Sequence, residues 1–521
     1  MKALWKNEKN YTFAGICAII LLCQIILIGY CNFALSPKYI DCDGAMLFVH
    51  AIEMARNHSY IIPEWNILTT LEWDCSLLFA MPLFLLFQNI YAAFSISNLL
   101  MVFILIGVLF FMFEGKSIVY PLLSANFILI PYSIGQLSYF NMLFFNGGQY
   151  IIKVLLPLML IALLIQVEKG TKPNAKFVIW CVVYSVLLLI SAISSGVYVP
   201  AVGIVPVLLG YLGYSLYCRK KIAIGFWGVS VLSGVISVVG LVGNKLLASG
   251  AKGNSMTLCS IVDNELWDNI VACFFGMFEL FNGVAYENLE VMSFGGIRVL
   301  LHMAFVVLLL FLAGIMISRI RHKKASMLGT MLLTVFVWNT FILCVCQTRY
   351  GTSTFEFRYH LVGMVPLLCA GVLLVVEWFE KEEKVWKSGI ATVIICMLAV
   401  LNITSYKGVF SYESNISEQQ QICKYIENSN IETVYFLHDS TSAEICRLID
   451  YKNEDTTYLA VTGGGEMMVY NYYSKYLDMP VIFENAVLVV NDDYFEFEDI
   501  VELFGHQYKR IDVIGGFSIY Q

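Results

Sequence analysis

The chain has 521 residues, 59% of them hydrophobic and only 14% charged, with a formal net charge of −7. Soluble domains carry about 25% charged residues, so this composition, with a mean hydropathy of +0.73, excludes an ordinary soluble protein and makes lipid the main solvent. No basic surface for nucleic acid is visible, and nucleic acid is excluded as a partner.

In chain order, segments 12–34, 93–113, 118–134, 150–166, 177–195, 198–217, 222–246, 296–317, 325–346, 359–378 and 388–404 predict eleven membrane spans. About 18 predominantly apolar residues suffice to cross a bilayer. The first span follows Lys2, Lys6 and Lys9, but no small-x-small cleavage site comes after it, so it reads as retained. Lysines and arginines gather in alternate loops, at Lys116, at Lys169, Lys172 and Lys176, at Arg219, Lys220 and Lys221, at Arg319, Arg321, Lys323 and Lys324, and at Lys381, Lys384 and Lys387. By the positive-inside rule this puts the N-terminus in the cytoplasm of a multi-pass plasma-membrane protein, and an odd count puts the C-terminus outside.

The first outer loop, 35–92, is long and acidic, with Asp41, Asp43, Glu53, Glu64, Glu72 and Asp74. Its apolar stretches 44–55 and 75–91 predict helices lying along the membrane surface. Asp41 and Asp43 form a D-x-D, a pattern that arises about once by chance in a chain of this length. Such a pair at the membrane–water boundary can bind a divalent cation, act as a base toward a hydroxyl, or solvate a loop. A helix starting near Asp43 would be capped by it, with His50 on the same face and Glu53 close by. Glu72 and Asp74, in "TTLEWDC", read as a solvated turn beside Trp73. Cys42 and Cys75 share this loop and either pair, if it faces an oxidising compartment, or stay as thiols. Most of the fifteen cysteines lie in apolar runs as small hydrophobes, and none has zinc-type spacing.

Lys153 lies near the outer end of the fourth span, and Arg358, Tyr359 and His360 open the tenth. Charge at such a place is costly unless solvated, paired or functional. A planar guanidinium suits a phosphate or carboxylate, so Arg358 either holds a lipid phosphate group or snorkels and pairs with Glu356. From about Ser405 charged residues become frequent. The strand-like "TVYFLH" (433–438), "TTYLAV" (456–461) and "AVLVV" (486–490) alternate with helical patterns. They predict a small extracytoplasmic α/β domain over 405–521, after a membrane domain over 1–404. "TGGGEMM" (462–468) lacks the residues of a phosphate loop and reads as a turn.

Together these features resemble the GT-C superfamily of integral membrane glycosyltransferases, which use polyprenyl-phosphate-linked sugars and include protein mannosyltransferases and aminoarabinose transferases. In that family an acidic motif opens a juxtamembrane helix in the first outer loop, the place held here by "YIDCDGAMLFVHAIEMARN" (39–57). "LLFAMPLFLLFQNIYAAFSISNLL" (77–100) is similar to a second surface stretch, and "SSGVYVPAVGIVP" (194–206) to a short element between middle spans. Arg358, Tyr359 and Pro366 match an Arg-Tyr pair that opens a late span with a Pro further on. An outward C-terminal domain is common too. The motif here is Asp-Cys-Asp rather than adjacent acids, which leaves the base open between Asp41 and Asp43, with helix phase favouring Asp43. The signature of oligosaccharyltransferases is absent.

The resemblance implies a GT-C fold and transfer of a sugar from a polyprenyl-phosphate donor to an envelope glycan, lipid or protein, with inversion. Asp43 or Asp41 would be catalytic, and Arg358, Tyr359, His50, Glu53 and Lys153 would bind substrate. The D-x-D permits a divalent metal at Asp41 and Asp43 without requiring one. A lipid-linked saccharide flippase or transporter is the rival reading; a transporter predicts charge near mid-bilayer or broken helices in matched halves. A receptor or scaffold is a third, for which eleven spans are excessive.

Overall fold

The computed structural model describes residues 8–521 except 64, 68–69, 171–173, 248–260, 263–264, 286, 347–348, 351–353, 356, 382–383, 430, 469–475, 477–479, 482–483, 494 and 496–497. Glu64, Lys172 and Glu356, the expected alternative partner of Arg358, lie outside the described residues. The architecture is a polytopic helical membrane body followed by a small sheet domain. Helices α1 (Glu8–Tyr30), α4 (Ile90–Met112), α7 (Ile151–Glu168), α8 (Ala175–Ser195), α9 (Val205–Tyr217), α10 (Ile224–Leu247), α12 (Phe294–Arg321), α13 (Met327–Val345), α14 (Leu361–Lys381) and α15 (Lys384–Phe410) build the body. Among the described residues, ten helices are long and apolar enough to cross a membrane, and these account for ten of the expected spans.

The remaining segment, 118–134, crosses differently. Its helix α5 (Val119–Ile128) has 10 residues, about 15 Å of rise against about 30 Å of hydrocarbon. Pro131 ends it, because proline has no N–H to give the carbonyl four residues back, that of Phe127. That carbonyl instead accepts from the Tyr132 hydroxyl at 2.9 Å, and the Ile128 carbonyl accepts from the Tyr139 hydroxyl at 2.8 Å. Non-helical backbone survives at membrane depth only where protein surrounds it, and Ile128, Leu129, Ile130 and Tyr132 are buried. One end of the segment meets α14 through Tyr120 and Glu380, and the other meets α11 (Leu266–Leu280) through Ser133 and the Leu280 carbonyl.

The C-terminal part returns to the side of loop 35–92. Phe13 packs on Phe379 at one end of α1 and Tyr30 on Phe410 at the other. Beyond α15, Asn415 donates to the carbonyls of Lys38 and Ile40. In the loop itself, α2 (Cys42–Arg56) and α3 (Leu77–Phe87) form where surface helices were expected. Helix α2 is buried on both sides, between α3 and α4 below and α17 (Ser440–Ile449) of the C-terminal domain above, so its apolar residues run almost unbroken. Asn98 of α4 ties the loop down by accepting from the Ser76 hydroxyl, while it donates to Asn32 at 2.7 Å and to the Asn146 carbonyl at 2.9 Å.

The C-terminal domain begins with α16 (Ser417–Glu427) and carries a six-stranded sheet. The strands are β3 (Thr433–Leu437), β4 (Thr457–Val461), β5 (Ala486–Asn491), β6 (Ile500–Leu503), β7 (His506–Ile514) and β8 (Phe517–Tyr520), in the order β4-β3-β5-β8-β7-β6. Two antiparallel strands of two residues each, β1 (Arg349–Tyr350) and β2 (Thr354–Phe355), precede α14. β3 runs parallel to β4 and β5, the three strands expected from sequence, and β6–β8 add an antiparallel meander.

Candidate functional site

The acidic motif sits at the N-terminus of α2, and the helix starts two residues earlier than the sequence suggests. Asp41, not Asp43, is the N-cap: its carboxylate accepts from the Gly44 N–H at 2.7 Å. The cap and Gly44 fit closely, since a Cβ on Gly44 would stand 2.9 Å from Asp41 Oδ1. The other oxygen of Asp41 accepts from Asn141 at 3.3 Å. Burial, with Asp43 beside it, pushes the Asp41 carboxyl up to about 6, while the Gly44 and Asn141 contacts and Arg358 act against that rise.

Asp43, in the first turn of α2, is left for other work. Its Oδ2 lies 3.1 Å from Nη1 of Arg358, 315 residues away. Arg358 stands in a 3-10 turn, Phe357–His360, that leads into α14. The two side chains are 31% and 19% exposed, so the pair is reachable from outside the protein. His360, the next basic residue, faces inward and is buried against the Cys273 carbonyl at 2.7 Å.

An aromatic row links Arg358 to the second cation. The guanidinium lies 5.6 Å from the Tyr359 ring centre, and Tyr359 lies 6.2 Å from Tyr150 and 6.1 Å from Tyr198. Lys153 sits 5.2 Å from the Tyr150 ring. Asp74 faces Lys153 at 3.2 Å. The row therefore has a cation and an acid at each end.

Asp74 is not the solvated turn expected from sequence: it is fully buried. It accepts from Ser191 at 2.9 Å, Ser194 at 2.9 Å and Ser195 at 2.8 Å, all in the last turns of α8. Gly196, at φ +60, ends that helix and lets the chain turn away. Three hydroxyls and an ammonium make a buried carboxylate tolerable. The serines are spaced i, i+3 and i+4 on one helix face, and Ser194 and Ser195 open the "SSGVYVPAVGIVP" stretch. Asp74→Ala is expected to cost about 3–5 kcal/mol, because it strands Lys153 and three hydroxyls; a denaturation midpoint in detergent unchanged from wild type would contradict this.

The same strap positions Glu72. Leu71 N–H donates to the Ser194 carbonyl and Trp73 N–H to the Ser194 hydroxyl. These bonds hold Glu72 at φ +60, a conformation that costs a non-glycine residue about 1–3 kcal/mol. Its carboxylate thereby reaches His50 Nδ1 at 3.2 Å, and His50 stacks on Trp65 at 4.6 Å. Burial raises the Glu72 carboxyl above its ordinary range; His50 opposes the rise and Asp43 adds to it.

The structure thus brings Asp41, Asp43 and Arg358 together, with Tyr359 and Lys153 along one wall and His50, through Glu72, on another. Glu53 goes elsewhere. It pairs with Arg56 at 2.7 Å, and Arg56 reaches the Tyr451 carbonyl and Glu454 of the C-terminal domain. Ten residues of helix put it about 15 Å along α2 from Asp43. Cys42 and Cys75 are both free thiols. Among the described residues no three His, Cys, Asp or Glu side chains are grouped to hold a metal. Both Asp41 oxygens are committed to protein donors and Asp43 faces a cation, so the D-x-D is not arranged as a ligand pair here.

The fold is similar to that of ArnT from Cupriavidus metallidurans, seen in a crystal structure of the apo state, with a TM-score of 0.55 over 96% of this chain and 97% of that one. The identity is 12%, so the likeness is one of fold. No family model matches the chain. No curated protein sequence matches it either.

Proposed function

We propose that a chain with this fold and this acid–guanidinium pair is a membrane glycosyltransferase that moves a sugar from a polyprenyl-phosphate donor to a hydroxyl of an envelope glycan, lipid or protein. The observation that carries the reading is the contact of Asp43 with Arg358 at 3.1 Å, made by residues from the two motifs the GT-C resemblance singles out. The reaction would take place on the side of the body that bears α2 and the C-terminal domain. We assign that side to the exterior: Lys116, Lys176 and Arg319, paired with Glu377 and Glu114, sit at the other end.

In the proposed mechanism the donor's phosphodiester replaces Asp43 as the partner of Arg358, with Lys153 and the Tyr150–Tyr359 wall beside it. Asp43, released, accepts the proton of the acceptor hydroxyl. The hydroxyl oxygen bonds to the anomeric carbon as the bond from that carbon to the phosphate oxygen breaks, with inversion. The leaving polyprenyl phosphate keeps the electron pair, and its charge grows from −1 toward −2 against a fixed guanidinium, where preorganised charge lowers the barrier most. Asp41 holds α2 in register, and the His50–Glu72 pair fixes the neighbouring wall.

Purified protein in liposomes, given a radiolabelled polyprenyl-phosphate sugar and envelope extract, is expected to release polyprenyl phosphate and label the acceptor. Label that crosses the bilayer still attached to its lipid, with no transfer, would favour a flippase. A pH effect tests the assignment of Asp41. With its folded-state value raised from 3.8 to about 6, the folded protein holds the proton more tightly than the unfolded chain, so Asp41 lowers stability as pH rises through that interval. Asp41→Asn keeps a capping oxygen and removes the charge. Its melting temperature relative to wild type is expected to climb between pH 4 and 6.5 and then level; a constant difference contradicts the assignment.

A further inference from the structure

A cavity of about 320 Å³ opens on the same side of the body, and neither Arg358 nor Asp43 lines it. Arg298 of α12 and Lys407 of α15 line it, with Ser405, Ser411, Ser133 and Tyr412. None of its lining residues is an aspartate or glutamate. Among the described residues no carboxylate pairs with either cation. Lys407 lies 3.5 Å from the ring centre of Phe294, and Arg298 Nε is buried without a hydrogen-bond partner.

Two features make this arrangement costly unless an anion meets the cations. Arg298 lies about a turn from the N-terminus of α12, the positive end of the helix dipole, where a cation is disfavoured and an anion is attracted. Ser405, only 2% exposed, lines the cavity, and its hydroxyl is buried without a partner, an arrangement that is unfavourable unless a ligand pairs with it. A tetrahedral anion would satisfy the guanidinium, the ammonium and the hydroxyl at once. The volume is at the lower end for small-ligand sites, about 300–1,000 Å³.

We propose that this cavity is a second, non-catalytic anion subsite that takes a phosphate monoester at the exterior surface, as presented by an anionic membrane amphiphile. Tyr412 connects it to the acidic motif. Its ring packs edge-on against Tyr39 at 5.3 Å, two residues before Asp41, and it also lines the cavity. The subsite does not depend on the sugar-transfer reading and stands or falls by itself.

The test uses the full-length protein in detergent and reads ligand-induced thermal stabilisation with three probes: dioleoyl phosphatidic acid, dioleoylglycerol and inorganic phosphate. Phosphatidic acid is expected to raise the midpoint where dioleoylglycerol does not. R298Q/K407Q should bind it at least about tenfold more weakly, as loss of charge-assisted contacts requires. Gly408→Leu, which fills the mouth beside Arg298 with both charges kept, should weaken it likewise. Arg321→Gln, at the opposite end of α12, should match wild type. Stabilisation by the lipid alone identifies an amphiphile headgroup as the source; comparable affinity for inorganic phosphate identifies a free anion in the same subsite. No shift with either phosphate probe, an equal shift with dioleoylglycerol, or wild-type binding by both altered proteins overturns the proposal.

Discussion

Asp43→Asn is expected to lower sugar transfer by about 10²–10⁴-fold, the range for losing a positioned general base, with little change in the affinity for donor. Asparagine keeps the size of the side chain and an oxygen for Arg358. A carboxylate in the first turn of a helix contributes about 0.3–1 kcal/mol through the dipole, so folding should barely change. Asp41, not Asp43, carries the cap, which separates the catalytic role from the structural one. The measurement is kcat for label transfer beside the melting temperature. Near-wild-type turnover would remove Asp43 as the base, and parallel loss of both would make it a structural residue.

Arg358→Lys is expected to cost about 10²–10³-fold in kcat/KM, comparable to removing one transition-state donor, although the charge is kept. Lysine offers a point charge where a planar fork meets phosphate. It would also leave the Tyr359 face against which the guanidinium rests at 5.6 Å. Because the phosphate is bound before it leaves, KM should rise as well as kcat fall. Arg358→Gln should be worse, since it leaves Asp43 without its cation. In a double variant with Asp43→Asn the losses should be far from additive, as for residues acting as a unit. Additive losses would show that the 3.1 Å contact has no part in a shared step.

The sequence shows the membrane body well, because lipid as solvent demands long apolar runs and leaves little else to read. It shows the α2 motif and Arg358 because charge beside such runs stands out. The exception among the spans is 118–134, where the apolar run is long enough but Pro131 and two tyrosine hydroxyls replace helical bonding. Hydropathy cannot separate that from a helix. The start of α2 was missed by two residues because both aspartates are good caps and only the Gly44 and Asn141 contacts choose between them.

Asp74 was missed for a different reason. Its partners Ser191, Ser194 and Ser195 are 117 to 121 residues away, and an acid beside Trp73 looks solvated until that cradle is formed. Glu53 was misplaced because helix periodicity gives a face but not what covers it, here Arg56 and the C-terminal domain. Strands β6 and β7 leave no buried apolar run to mark them because they are mostly exposed, and β8, though buried, is only four residues long.

The most direct test of the convergence of α2 and the start of α14 on one donor site is a density map of the protein bound to a polyprenyl phosphate. The account predicts the lipid phosphate within hydrogen-bonding distance of Arg358, with Asp43 released from the guanidinium and facing open space for an acceptor. A phosphate bound elsewhere, with the Asp43–Arg358 contact still closed, would contradict it.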